Sequence, residues 1–198
     1  MKTRIFIEAK YEKTSESVFM STLLGVLGKS QNDFELVHVG GKDNLKNAKV
    51  KFMENTLEGG KNLVVFDADT KENGGGFESS LKRILSTFGD DVSIDGVFLF
   101  PNNHDDGIFE NLLEQLMQKE THKVFIDCFS DYEKCLSDKY VSPDLKGKLH
   151  TYMSAQKVLT KKQRNALGQG QWLFDDSRFW NLEADALKPL KEFLLMNV

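Results

Sequence analysis

The 198-residue chain reads as an α/β protein with an open, mostly parallel central sheet and a mainly helical C-terminal part. Three observations lead there. Short apolar runs alternate with helix-period segments four times, the connections between them are short, and the first run is nearly continuous, as in a strand buried on both faces. Sheets of this kind gather the loops leaving the carboxyl ends of their strands on one edge, where ligands bind.

Arg4-Ile5-Phe6-Ile7 is the first strand and ends on Glu8. Residues 12–28 carry Val18, Phe19, Leu23, Leu24 and Leu27 at helical spacing and stop near Gly28. Phe34 to Val39 is the second strand, closed by Gly40-Gly41; Asp43 or Asn44 then caps a helix running to about Leu57, which Gly59-Gly60 stops. Asn62 to Phe66 is the third strand and leads into Asp67-Ala68-Asp69. The loop after it holds Gly74-Gly75-Gly76, either a flexible turn or a phosphate cradle, before a helix from Phe77 to Phe88. Gly96 to Phe100 is the fourth strand, broken by Pro101 and followed by the loop Asn102-Asn103-His104-Asp105-Asp106-Gly107 and a helix from Ile108 to about Lys119.

The character changes near Lys123. Val124-Phe125-Ile126 is either a short strand or the start of a helix that continues to Tyr140, and Pro143 marks a break. Gly147 to Val158 reads as helix, Thr160 to Arg164 is strongly basic, and Gly168-Gln169-Gly170-Gln171 is loop. Asp185 to Met196 is an amphipathic closing helix with Leu187, Leu190, Phe193 and Leu194 on one face. Residues 1–122 thus form an α/β core and 123–198 a C-terminal appendage packed on it as one structural unit.

With 40% hydrophobic and 28% charged residues the chain can bury one substantial core, and its net charge of −4 excludes a surface that grips nucleic acid all over. DNA or RNA must be met at a local basic patch, for which Lys161-Lys162-Gln163-Arg164 is a candidate, the alternative being a solvated basic turn. Trp172 and Trp180 read as packing anchors. Cys128 and Cys135 have neither zinc-ligand company nor the density of a disulfide scaffold and are expected to be reduced thiols. Residues 1–7 lack the apolar stretch of a signal peptide, and no run reaches bilayer length, so a cytoplasmic protein without a membrane partner is expected. A homo-oligomer or a protein partner is compatible with this composition.

Chemistry concentrates at the strand ends. Asp67 and Asp69 at i and i+2 of a strand share one face, and two like charges so placed repel unless one is protonated or a divalent cation lies between them. The alternative is a local cap made by Asp69. Glu8 leaves the first strand, and Glu12 shares its face if a helix begins between them; otherwise Glu12 is a first-turn helix acid. Four oxygen donors of this kind suit Mg2+ or Mn2+ better than zinc. His104 either ligates metal or polarises a phosphate, or is a solvated loop residue, while Asp105 and Asp106 either join it or cap the following helix.

Ile5-Phe6-Ile7-Glu8-Ala9-Lys10-Tyr11-Glu12 resembles the strand-borne glutamate motif of the Toprim domain, the fold shared by topoisomerases, primases and the overcoming-lysogenization-defect nucleases. Val64-Val65-Phe66-Asp67-Ala68-Asp69 resembles that family's aspartate pair. Through Val39-Gly40-Gly41-Lys42-Asp43-Asn44-Leu45, Phe100 to Gly107 and Glu110-Asn111-Leu112-Leu113 the whole chain looks like a group of small bacterial Toprim-like proteins. The resemblance implies a three-layer fold and magnesium-dependent, nuclease-like processing of nucleic-acid phosphodiesters. It makes Glu8 a metal ligand or general acid/base and Asp67 and Asp69 the magnesium ligands. The nuclease branch adds a second acid at Glu12, an acid after the fourth strand at Glu110, and a lysine at Lys157. Two positions depart from the pattern: Ala9 replaces a glycine and Glu12 an aspartate. A non-catalytic Toprim-like module that binds a nucleotide, a nucleic acid or a partner protein is the alternative. Asp67-Ala68-Asp69-Thr70 also resembles the motif of haloacid-dehalogenase phosphatases, though the threonine falls one residue early, with Lys71 in its expected place.

Overall fold

Alternation of apolar side chains across one sheet organises the molecule. In the computed structural model, which describes residues 2–89, 92–136 and 139–198, β1 (Thr3–Ile7), β2 (Phe34–His38), β3 (Asn62–Asp67) and β4 (Gly96–Phe100) pair in the order β2-β1-β3-β4. All three pairings are parallel, with Ile7 opposite both His38 and Val65, and Asp67 opposite Phe100. One face of the sheet presents Ile5, Ile7, Leu63, Val65, Phe98 and Phe100 to a large core. The other presents Phe6, Val37, Val64, Phe66 and Leu99 to a smaller one. Each fully buried Leu, Ile or Phe in these layers contributes about 1.5–3 kcal/mol by leaving water.

The helices supply the outer layers. The larger core takes in α1 (Ser15–Val26), α4 (Phe109–Leu116), α6 (Leu145–Ser154) and α8 (Lys188–Asn197) through Phe19, Leu23, Leu112, Tyr152 and Leu190, and it contains Trp172 and Trp180. The smaller core takes in Phe52 of α2 (Lys49–Leu57) and Ile84 of α3 (Phe77–Leu85). The result is a three-layer α/β fold with a helical C-terminus, completed by α5 (Lys123–Cys135) and the short α7 (Lys161–Ala166). Val124-Phe125-Ile126 therefore opens a helix. That helix ends at Cys135 rather than Tyr140; Ser137 and Asp138, within the expected stretch, lie outside the described residues.

Several boundaries move for identifiable reasons. α1 starts at Ser15, because the Thr14 hydroxyl accepts the Ser17 N–H as an N-cap, and residues 8–14 are loop. Neither Asp43 nor Asn44 caps α2: a 3-10 turn, Lys42–Ala48, precedes it, and Asn44 donates to the Gly40 carbonyl. α4 stops at Leu116, since the next residues pair with the C-terminal segment: Met117 bridges Trp180, and the Gln118 N–H donates to the Phe179 carbonyl. Asp185–Leu187 is a 3-10 turn leading into α8, with Pro189 in the first helical turn, where no N–H is missed. Gly170 lies so close to Thr14 that a Cβ there would fall 2.3 Å from the Thr14 carbonyl carbon, which ties the C-terminal part to the β1–α1 loop. Among the described residues no helix is long and apolar enough to cross a membrane, and both cysteines are free and exposed.

Candidate carboxylate site at the sheet edge

β1 and β3 are neighbours in register, so Glu8 and Asp67 emerge side by side at the carboxyl edge. Glu8 is held by backbone donors: its Oε1 accepts the Lys42 N–H at 3.1 Å and its Oε2 the Asp67 N–H at 3.5 Å. Asp67 Oδ1 accepts the Phe109 N–H at 2.7 Å and so sits at the amino end of α4, where a negative charge is favoured. β3 ends at Asp67, and Asp69 adopts a left-handed backbone with φ 60°, so strand alternation does not govern the second aspartate. Its carboxylate meets Lys42 Nζ at 2.6 Å and caps no helix.

Two further acids complete the cluster. Glu110, in the first turn of α4, is buried with 8% of its surface exposed, and Lys146 Nζ lies 3.7 Å from its Oε1. Glu16, in the first turn of α1, accepts the Glu8 N–H on Oε1 at 3.2 Å. Burial raises the Glu8 carboxyl above the ordinary range, the Asp67 N–H opposes that rise, and the charge of Asp69 adds to it. Burial, reinforced by the charges of Asp67, Glu8 and Glu110, pushes Glu16 well above the ordinary range. Asp67 is raised to about 8, by burial first and then by the charge of Glu8, with the Phe109 N–H opposing.

The remaining candidates from the sequence lie elsewhere. Glu12 is exposed in the loop before α1, where its charge acts on His38, so Glu16 occupies the neighbourhood of Glu8 that a helix starting earlier would have given to Glu12. His104 is 85% exposed and pairs with Asp105 at 2.8 Å. Asp106 accepts the Phe77 N–H at 2.7 Å and so caps α3, not the helix that follows it in sequence; α4 is capped instead by Asp67 and by Asn111, which accepts the Ile108 N–H. That same bond occupies the α3 terminus beside Gly74-Gly75-Gly76 with the chain's own carboxylate rather than leaving it for a phosphate. Lys157 is exposed in the turn between α6 and α7. In the basic stretch, Arg164 is spent on the carbonyls of Ser154 and Gln156.

Sequence reasoning missed Glu16 and Lys42. The signal for Glu16 was present, since Thr14-Ser15-Glu16-Ser17 is a good helix-start pattern that sets the first turn at Ser15. Lys42 had only its place in the glycine-rich loop after β2. Asp69 is also braced from below: a Cβ on Gly75 would lie 2.3 Å from Asp69 Cβ and 2.8 Å from the Ala68 carbonyl oxygen. Gly75→Ala is therefore expected to destabilise the protein by about 1–3 kcal/mol through overpacking and to loosen the Lys42–Asp69 pair, measurable as a lower thermal midpoint.

The carboxylates of Glu8, Glu16, Asp67, Asp69 and Glu110 are hard oxygen donors of the type a divalent cation takes, and the ammonium groups of Lys42 and Lys146 lie against two of them. Among the described residues no group of three or more His, Cys, Asp or Glu side chains is arranged to hold a metal. Lys42 occupies Asp69, and backbone donors occupy Glu8.

Fold and edge together define a three-layer α/β protein with a carboxylate site at the carboxyl ends of its strands. The chain belongs to the family described as Protein of unknown function (DUF3226), which matches residues 5–196. No curated protein and no solved structure matches it.

Proposed function

We propose that the chain is a Toprim-type protein that processes nucleic-acid phosphodiesters with Mg2+ or Mn2+, using Glu8, Asp67 and Asp69 as ligands. One observation carries this reading: Glu8 after β1 and Asp67 at the end of β3 meet at the carboxyl edge of the parallel sheet, where Glu8 Oε2 accepts the Asp67 N–H, and burial together with the Glu8 charge raises the Asp67 carboxyl. Carboxyls crowded where such sheets bind ligands favour their neutral forms in the free protein, and a bound cation would favour the ionised ones. Bound there, the ion would offset the charge that develops on the phosphoryl group and activate a water.

The chain's own residues have separate roles. Lys42 neutralises Asp69 in the free protein and must release it, which frees an ammonium for a phosphate oxygen. Glu16 takes over the second-acid role assigned to Glu12. Its Oε1 accepts the Glu8 N–H, and burial raises its carboxyl well above the ordinary range, which suits a general acid beside Glu8. Ala9, the replacement for the motif glycine, is buried in the larger core.

A second reading, a non-catalytic module, is favoured by the Lys42–Asp69 pair itself, which already supplies a cation. Metal titration followed by cleavage of plasmid and oligonucleotide substrates separates the two. Magnesium- or manganese-dependent cleavage is expected for the wild type and a loss of at least about a hundredfold for Asp67→Ala, since a metal ligand is removed. Binding of metal without cleavage would favour the module, and absence of metal binding would remove the nuclease reading.

A further inference from the structure

The carboxylate edge repels phosphate, so a strand presented to it needs cations alongside, and the basic segment Lys161–Arg164 does not provide them at the site. A different place does. A cavity of about 440 Å³ opens between the β1–α1 loop, α6 and the turn at Gly168–Gly170, lined by Lys13, Lys146, His150, Tyr11, Thr14 and Thr151 among others. Two lysines and a histidine thus line one concavity in a chain of net charge −4. The cavity adjoins the acids directly, because Lys146 Nζ lies 3.7 Å from Glu110 Oε1 and Ser15 of the lining precedes Glu16. Its size suits one nucleotide. Tyr11, 55% exposed, is the accessible aromatic residue of the lining, of the type that stacks on a base, whereas Trp172, 3% exposed with its indole N–H on the Leu167 carbonyl, forms the wall.

We propose that the cavity between the β1–α1 loop and α6 is a nucleotide subsite, in which Lys13, Lys146 and His150 hold the phosphate of a single-stranded nucleic acid next to the bond presented to the carboxylates. The substrate class rests on the phosphodiester reading above, while the subsite can be tested without any cleavage. The subsite gives the C-terminal part a role, since α6 brings Lys146 and His150 to the edge built by β1 and β3. Lys148, the next lysine on α6, is engaged with Glu114 at 2.7 Å and is not part of the subsite.

The experiment measures binding of a fluorescent, 5′-phosphorylated single-stranded oligonucleotide in chelator, without divalent metal, over a range of salt. The Lys13→Gln/Lys146→Gln protein should bind about tenfold or more weakly and show a salt slope shallower by about 0.7, the value for one lost phosphate contact on a single strand. Lys161→Gln/Lys162→Gln, exposed basic residues outside the cavity, should bind like the wild type. Both lysines of the cavity are on the surface, and Lys13→Gln alone repeats the test should the double variant melt early. Competition by a nucleoside monophosphate identifies the source of the phosphate: displacement only at much higher concentration assigns the cavity to a strand, as proposed, and displacement at equal concentration reassigns it to a free nucleotide. Wild-type protein that binds neither probe, or a cavity variant that binds like the surface control, overturns the subsite. Cavity-dependent binding in a protein that neither binds metal nor cleaves would leave the subsite standing and remove the hydrolytic reading.

Discussion

Asp67→Asn is expected to stabilise the metal-free protein at neutral and alkaline pH and to flatten its pH dependence. The folded protein holds the Asp67 carboxyl at about 8 against an ordinary value of 3.8, so folding favours the neutral form. A group raised in this way gives its full contribution below its unfolded value and loses it as pH rises through the folded one. The window therefore runs from about pH 4 to pH 8. At 1.36 kcal/mol per unit the upper limit is about 6 kcal/mol, and water reaching the partly exposed edge reduces it to an expected loss of about 2–4 kcal/mol between pH 5 and pH 8.5. Asparagine keeps the Oδ1 acceptor for the Phe109 N–H and removes the charge that acts on Glu16. Denaturant unfolding across that range should give a steep decline for the wild type and at most half of it for the variant. Equal slopes would mean that Asp67 is not held against its neighbours.

Lys42→Met is expected to act in opposite directions with and without metal. In the free protein Lys42 Nζ lies 2.6 Å from Asp69 Oδ2, with both side chains less than a third exposed. Removing it leaves a carboxylate beside Glu8 and Asp67 without its cation, and the metal-free protein should lose about 1–2 kcal/mol. Added Mn2+ no longer competes with an ammonium for Asp69, so the rise in thermal midpoint on metal addition should exceed that of the wild type. A metal response weaker than the wild type's would show that Lys42 is part of the loaded site rather than its placeholder. The Lys42 N–H to Glu8 is a backbone contact and survives the substitution.

The parallel sheet was legible because buried strands leave apolar runs. β4 falls on Gly96–Phe100 as the run and Pro101 indicate, and the sheet edge gathers Glu8, Asp67 and Glu110 from segments far apart in sequence. What the sequence left hidden depends on where a helix begins and on contacts between distant loops. Thr14 delays α1, so position 16 rather than position 12 turns toward Glu8. Asp106 caps a helix that begins 29 residues before it, and Lys42 reaches an aspartate 27 residues away. Local spacing carries no trace of either. The two aspartates illustrate the limit well, since alternation applies only while the strand lasts, and the left-handed residue at Asp69 ends it.

On the proposed function, the acids at the sheet edge form a cation site whose filling requires Asp67 to ionise. Calorimetric titration of the wild type and of Asp67→Asn with Mn2+, at pH 6.5, 7.5 and 8.5 and in buffers of different ionisation enthalpy, tests it directly. For the wild type, affinity should rise with pH by about tenfold per unit below 8, with close to one proton released per ion at pH 6.5 and less at pH 8.5, because a metal-binding carboxylate must give up its proton. Asp67→Asn should bind at least about tenfold more weakly at pH 8.5 and lose most of that proton release. Wild-type protein that binds no Mn2+ at any of these pH values, or binds it with the same affinity and proton count after Asp67→Asn, would rule out a cation site built on Asp67.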